Sequence, residues 1–250
     1  MELLKQMNER PGPQAKHPMI TIRKSSDRGH FNHGWLDTYH TFSFGQYHDP
    51  KHVHFRSLRV INEDIVAPGK GFGRHPHEDM EILTWVLSGE LAHTDSLGSV
   101  RTLRPGELQR MSAGTGIEHS EFNGSKAEPV HLLQIWIMPT HKDIEPKYDQ
   151  TAFPLAGRAN KLQLLVSPEG VDGSLTIGAD TRVYATNLEP GRSVEIEIEM
   201  GRRAWVQVAR GSVTLNDQAM GQGDGAGVND ETKLAIAATE AAEVLVFDLA

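Results

Sequence analysis

The chain has 250 residues, 38% hydrophobic and 23% charged, an ordinary globular composition with room for one large or two small domains. Its formal net charge of −8 argues against a surface that coats nucleic acid, which needs clustered Lys and Arg. It has no cysteine, which excludes disulfides, thiolate metal sites and cysteine nucleophiles together and fits a cytoplasmic location.

The opening MELLKQMNERPGPQAKHP has no basic segment followed by an apolar one, so it does not read as a secretory signal. Residues 1–18 are expected to form a disordered extension, with the ordered fold starting near Met19. No apolar run reaches the ~20 residues of a membrane helix, and no membrane association is expected. Short runs with period-two alternation then follow one another. SLRVINEDIV, EILTWVL, ELAHTDS, SVRTLRPG and HLLQIWIMP read as strands of a first half. LQLLVSP, SVEIEIEM, RAWVQVARG, SVTLND and EVLVFDL read as strands of a second. AIAATEAAE has helical propensity, but it is short and sits between strand-like runs. Even spacing with turn signals predicts an all-β chain of sandwiches or barrels.

The stretch from Pro139 to Lys161 is polar, holds three prolines and lacks periodicity. It predicts a linker over residues 141–160, between a first domain at 19–140 and a second at 161–250. The halves echo one another. TWVLSGELAHTDS and LRPGEL match VQVARGSVTLND and GQGDGAG as strand, glycine turn, strand and Gly-acid turn. That is the pattern of a small barrel built twice, although glycine turns between strands are common.

Histidine is the unusual residue. Most of the 13 lie between His30 and His131, and none follows His141. In a strand, residues i and i+2 share a face. His75 and His77 therefore project together, and so do His119 and Glu121 in GTGIEHSEFN. A lone His-x-His is more often a surface or core pair than a metal site. Two pairs on neighbouring strands can converge inside a barrel, and three imidazoles with one carboxylate suit a first-row metal with open positions. Glu81 competes for the carboxylate place, and Asp79 has a weaker claim. His30, His33 and His40 are not expected to touch a metal, and His48, His52 and His54 read as solvated. His93 follows a glycine turn and is expected to be exposed. Gln134 shares a face with Trp136, either as a pocket residue or as part of a plain core strand. The glycines of GKGFG and AGTG lack the Lys-Ser/Thr ending of a phosphate loop. Ser112, Thr115 and Ser120 have no nucleophile elbow around them.

From Gly69 through His75, His77 and Glu81 to Gly89, the chain resembles the first cupin motif, with one residue too many before the last glycine. Gly116, His119 and Asn123 resemble the end of the second, while MSAGTG departs from its start. That departure resembles the pirin branch of the cupins. GHFNHGWLDTYHTFSFGQYHDP, GFGRHPHEDMEILTWVLSG, MSAGTGIEHSEFN and RAWVQVARGSVTLN are similar to pirin segments, in order, across about Met19 to Ala250. The similarity is greatest to bacterial members of the quercetin 2,3-dioxygenase type.

The resemblance implies a bicupin: two antiparallel, jelly-roll-like β-barrels with one divalent metal in the first only. The ligands it implies are His75, His77, His119 and Glu121. Fe(II) is the metal expected, with Zn, Mn, Ni, Co or Cu able to take its place. Glu81 is left to orient a ligand histidine through its free ring N–H. The implied activity is dioxygenation of a flavonol such as quercetin by O2, giving a depside and carbon monoxide. Glu121, the one carboxylate in the expected ligand set, is the candidate base. Some pirins instead serve as non-enzymatic, iron-bound regulators acting through protein partners, and this is the alternative. Two fused barrels also make a monomer the expected state.

Overall fold

The computed structural model describes residues 19–250, so the expected extension at 1–18 lies outside the described residues. The strands of the first half are β2 (Gly29–Asn32), β3 (Leu36–His40), β4 (Leu58–Val66), β5 (Gly71–His77), β6 (Glu81–Ser88), β7 (Leu91–Asp95), β8 (Val100–Leu103), β9 (Glu107–Ser112), β10 (Ile117–Asn123), β11 (Val130–Ile137) and β12 (Lys147–Ala152). They are preceded by β1 (Ile20–Arg23). After the single-turn helix α1 (Leu155–Arg158) come β13 (Gln163–Ser167), β14 (Leu175–Thr176), β15 (Thr181–Leu188), β16 (Ser193–Glu197), β17 (Arg203–Arg210), β18 (Ser212–Leu215), β19 (Gln218–Gly221), β20 (Gly225–Val228), β21 (Lys233–Ala238) and β22 (Ala242–Leu249).

Four sheets result, and they come in two matching sets. The large sheet of the first half runs β12-β9-β6-β11-β4-β3-β2, and its small sheet runs β5-β10-β7-β8. The second half has β1-β20-β17-β22-β15-β13-β14 and β16-β21-β18-β19. From β4 to β11 and from β15 to β22 the two orders agree strand for strand, so the echo read from the sequence is a duplicated two-sheet barrel. The glycine turns sit at equivalent places, Gly89 between β6 and β7 and Gly211 between β17 and β18, both with positive φ. At Gly211 a Cβ would also lie 2.0 Å from the Ala241 carbonyl, so the turn needs glycine twice over.

The matching orders correct two of the expected domain bounds. Residues 141–160 are not a plain linker, because β12 lies within them and pairs antiparallel with β9. β1 falls inside the expected first domain at 19–140, yet it pairs with β20 of the second half. The second half thus takes its outermost strand from the start of the chain, while the strand directly after β11 completes the first. The reason β12 is hard to read is physical. KYDQTA forms a sheet edge with no fully buried residue, so it carries no apolar alternation.

The two large sheets pack against each other. Leu83, Trp85, Leu87, Leu133 and Ile135 of the first half meet Leu165, Val183, Trp205 and Phe247 of the second in one buried cluster. The Trp85 indole N–H donates to Glu243 Oε1 at 2.8 Å, and the Arg158 guanidinium lies over its ring. Trp85→Ala should therefore leave a cavity at the joint and free a buried carboxylate. A loss of about 3–5 kcal/mol is expected, read as a lower midpoint in urea unfolding.

Candidate metal centre

The opposite face of the first large sheet looks into its own barrel. There β6 points Ile82, Thr84 and Val86 inward, and β10 points Ile117, His119, Glu121 and Asn123 inward from the small sheet. β5 pairs antiparallel with β10, placing His75 opposite His119. Between His119 and Glu121 the register slips, so that Glu121 faces Phe72. Such a bulge re-aims a side chain at a site. The slip brings the strands very close at Gly71, where a Cβ would lie 2.1 Å from the Glu121 carbonyl.

The rings of His75, His77 and His119 gather with centroids 4.4–4.8 Å apart. The Nε2 atoms of His75 and His119 are 3.0 Å apart. His75 Nδ1 is 2.7 Å from the Gly73 carbonyl, which can only accept, so Nδ1 carries a proton and Nε2 is the nitrogen turned toward the cluster. Burial, reinforced by the neighbouring histidines, lowers His119 to about 2 and His77 to about 4. Both rings are neutral and ready to ligate at physiological pH. Glu121 is buried, and its pKa is pushed up to about 7 by burial and by the nearby Asp64 carboxylate. Gln134 Nε2 donates to both Glu121 oxygens at 2.8 Å. Thr84 donates to Gln134 Oε1, and Gln109 donates to Thr84, so a buried polar chain holds the carboxylate in place.

Among the described residues two side-chain groups can hold a metal: His75, His77 and His119, and then His93, His119 and Glu121. They share His119. The four residues singled out from the sequence line a single pocket of about 80 Å³ with Trp136 and Gln134. The donor set fits a divalent ion. It offers neutral imidazoles with a free lone pair and a carboxylate, and no lysine or arginine lines the pocket to compete for that carboxylate.

Other residues fall elsewhere. Glu81 does not reach a histidine. It lies on the outer face of β6, accepts from Ser112 Oγ at 2.9 Å and meets the Gly178 backbone of the second half. Parity with His75 and His77 is broken because the turn between β5 and β6 passes through Asp79 at φ 60. Asp79 itself accepts from the Asp143 backbone. His93 is buried, not exposed as expected; it faces Glu121 across β7 and β10 and contacts Asp95 at 3.0 Å. Gln134 and Trp136 both line the pocket. Asn62 and Asp64, which no motif or spacing singles out, also line the pocket from β4. Their signal was present: the polar triplet Asn62-Glu63-Asp64 interrupts a strand whose two faces are both buried.

Two duplicated barrels with a ligand cluster in the first alone define a two-domain cupin. The Pirin family profile matches residues 21–137, and that of the quercetinase C-terminal cupin domain matches 164–249. The chain belongs to the pirin family. A protein of Escherichia coli strain K12 named quercetin 2,3-dioxygenase is 48% identical over 232 residues, 92% of this chain and 99% of that one. A putative quercetin 2,3-dioxygenase of Pasteurella multocida is 43% identical, across 92% of this chain and 100% of the other. The crystal structure of the E. coli bacterial pirin YhhW in complex with nickel(II) superposes with a TM-score of 0.88 at 48% identity, covering 92% of this chain and 99% of that one.

The raised Glu121 pKa has a consequence for metal uptake. Were Glu121 a ligand, its carboxyl would have to lose a proton first, so affinity should rise with pH up to about 7, by as much as tenfold per unit, and then level off. Chelator competition with Ni(II) from pH 5.5 to 8.5 measures this, and Glu121→Gln should lack that component while binding more weakly throughout.

Proposed function

We propose that this protein is a metal-dependent dioxygenase that cleaves a flavonol such as quercetin with O2 and releases carbon monoxide. The observation that carries the reading is the buried Glu121 carboxyl, poised near neutral pH beside three clustered imidazoles in a pocket walled by aromatic rings. The names borne by the relatives support it. His75, His77, His119 and Glu121 would hold the metal, with Fe(II) as the resident ion and other divalent ions able to replace it. When bound, the metal supplies Lewis acidity toward a substrate oxygen and a redox partner for O2.

The protein's own groups do the rest. Glu121 takes the flavonol 3-hydroxyl proton; a bound cation would keep the carboxylate ionised and so able to accept it. Gln134 keeps that carboxylate aimed while its protonation changes. Phe44, Ile82 and Trp136 form apolar walls that hold a flat ring and limit water. Trp136 also meets His77 edge-on, with centroids 4.9 Å apart, and so fixes that ligand ring. A monomer belongs to the same proposal, because the two large sheets already cover each other. So does the cytoplasmic location read from composition; among the described residues no helix is long and apolar enough to cross a membrane.

The test is anaerobic reconstitution with Fe(II), followed by quercetin and O2, with flavonol loss and carbon monoxide measured together. Turnover should vanish in His75→Ala with the loss of metal. In Glu121→Gln it should fall by at least about 100-fold while quercetin still binds. Unchanged turnover in Glu121→Gln refutes the base assignment. No turnover with any of several divalent ions favours the regulator reading instead.

A further inference from the structure

The metal pocket does not end at the metal ligands. A second cavity of about 240 Å³ adjoins it and shares four lining residues with it: Phe44, Asn62, Asp64 and Phe72. The metal pocket alone, at about 80 Å³, is far below the ~300 Å³ at which pockets begin to accept drug-sized ligands. A three-ring substrate that reaches the metal must therefore extend past the shared residues, and the second cavity is where they lead.

This cavity is built for an aromatic ring that carries polar groups. Its walls include Phe31, Leu36, Phe44 and Phe72. Its floor is polar, and two floor atoms are buried with no hydrogen-bond partner: Asn62 Oδ1 and His40 Nδ1. Both residues are more than nine-tenths buried. Buried polar atoms are nearly always paired, so two residues that line one cavity and each keep an unpaired buried atom make its floor receptive to a polar partner. Burial lowers His40 to about 4, so its ring is neutral and its free Nδ1 can pair with a hydroxyl. The Asp64 carboxyl lies on the same floor as a further acceptor. The metal-holding groups among the described residues do not include His33 or His40, so the imidazoles of this cavity are not a second metal site.

We propose that the cavity formed by β2, β3 and β4 seats the pendant hydroxylated ring of the substrate, and that Asn62, His40 and Asp64 are specificity-determining residues that read its phenolic hydroxyls. The proposal rests on the flavonol reading of the metal pocket and sharpens it: phenols bearing free hydroxyls on the distal ring are preferred over otherwise identical unsubstituted ones. The Asn62 amide bonds to one hydroxyl, and the His40 imidazole to another.

The test uses the full-length, metal-loaded protein and three flavonols with two, one and no hydroxyls on the pendant ring. Binding is read under anaerobic conditions by quenching of tryptophan fluorescence, since Trp136 lines the metal pocket. Turnover is read separately in O2. Each hydroxyl removed should weaken binding by about fivefold to tenfold. Asn62→Leu and His40→Phe should each remove one hydroxyl's share of the ranking, so that each weakens the dihydroxylated flavonol more than the unsubstituted one. Metal content equal to wild type certifies the fold of each variant. Should one of them not fold, the other and the wild-type series still decide.

A wild-type series with no ranking, or a ranking that survives both variants, overturns the subsite. Turnover without ranking leaves the dioxygenase reading standing and the subsite refuted. Ranked binding without turnover, flattened by the variants, does the reverse. Absence of any flavonol binding overturns both.

Discussion

A carboxyl buried at full depth inside a β-barrel is the constraint around which the first half is arranged. Ionising Glu121 in that interior costs several kcal/mol unless something offsets it. The barrel supplies two amide contacts from Gln134, and behind them a hydroxyl and a second amide. No lysine or arginine lines the pocket, and burial holds the imidazoles of His77 and His119 neutral. The charge on Glu121 is therefore matched either by a proton, which is why its pKa stands near 7, or by a cation from outside. The same desolvation that raises the acid frees the imidazole lone pairs. One physical effect, burial, thus readies His77 and His119 for a metal and leaves the Glu121 carboxylate in need of a cation.

A polar interior weakens a barrel, and the duplication shows how the chain offsets this. The second barrel is filled by one continuous apolar cluster that includes Val194 and Ile196 of β16 and Leu234 and Ile236 of β21. These two strands occupy the places that β5 and β10 hold in the first half, where the histidines sit. In the first barrel the apolar side chains separate into smaller clusters, one around Leu91 and Leu132, another around Ile82 and Met111. The largest shared core lies outside both barrels, between the large sheets. The second barrel and the joint thus carry stability that the first has exchanged for chemistry. The crossed edge strand β1 reinforces this, since the start of the chain completes a sheet of the second half.

What the sequence revealed follows from how far strand parity reaches. Within one strand it is reliable: His75 with His77, and His119 with Glu121, share faces as the period of two requires. Across a turn it fails. One residue with positive φ, Asp79, is enough to send Glu81 to the other side of the sheet and into the joint with Gly178. Edge strands were harder to read because burial, and not backbone pairing, writes the alternating pattern. KYDQTA pairs along its whole length and yet leaves no apolar trace. His93 was misplaced for the opposite reason: a polar residue after a glycine turn looks solvent-facing until the neighbouring strand covers it. Asn62 and Asp64 belong to a third kind. Their polarity was visible, but only the closed barrel shows that it faces a cavity.

Asp64 gives that polarity a further meaning. Burial raises it to about 6, and its neighbour Glu63, which pairs outward with Arg28 and His131, adds to the rise. Asp64 in turn helps to raise Glu121, so two buried carboxyls resist being charged together. A divalent ion at Glu121, as proposed, would relax that conflict from one side, and the hydroxyls of the proposed substrate in the adjoining cavity would relax it from the other. Both partners favour ionised acids in a region that the protein by itself leaves short of positive charge. Metal and substrate are then electrostatically compatible, and the wall between the two cavities, Asn62 and Asp64 on β4, is where that compatibility is set.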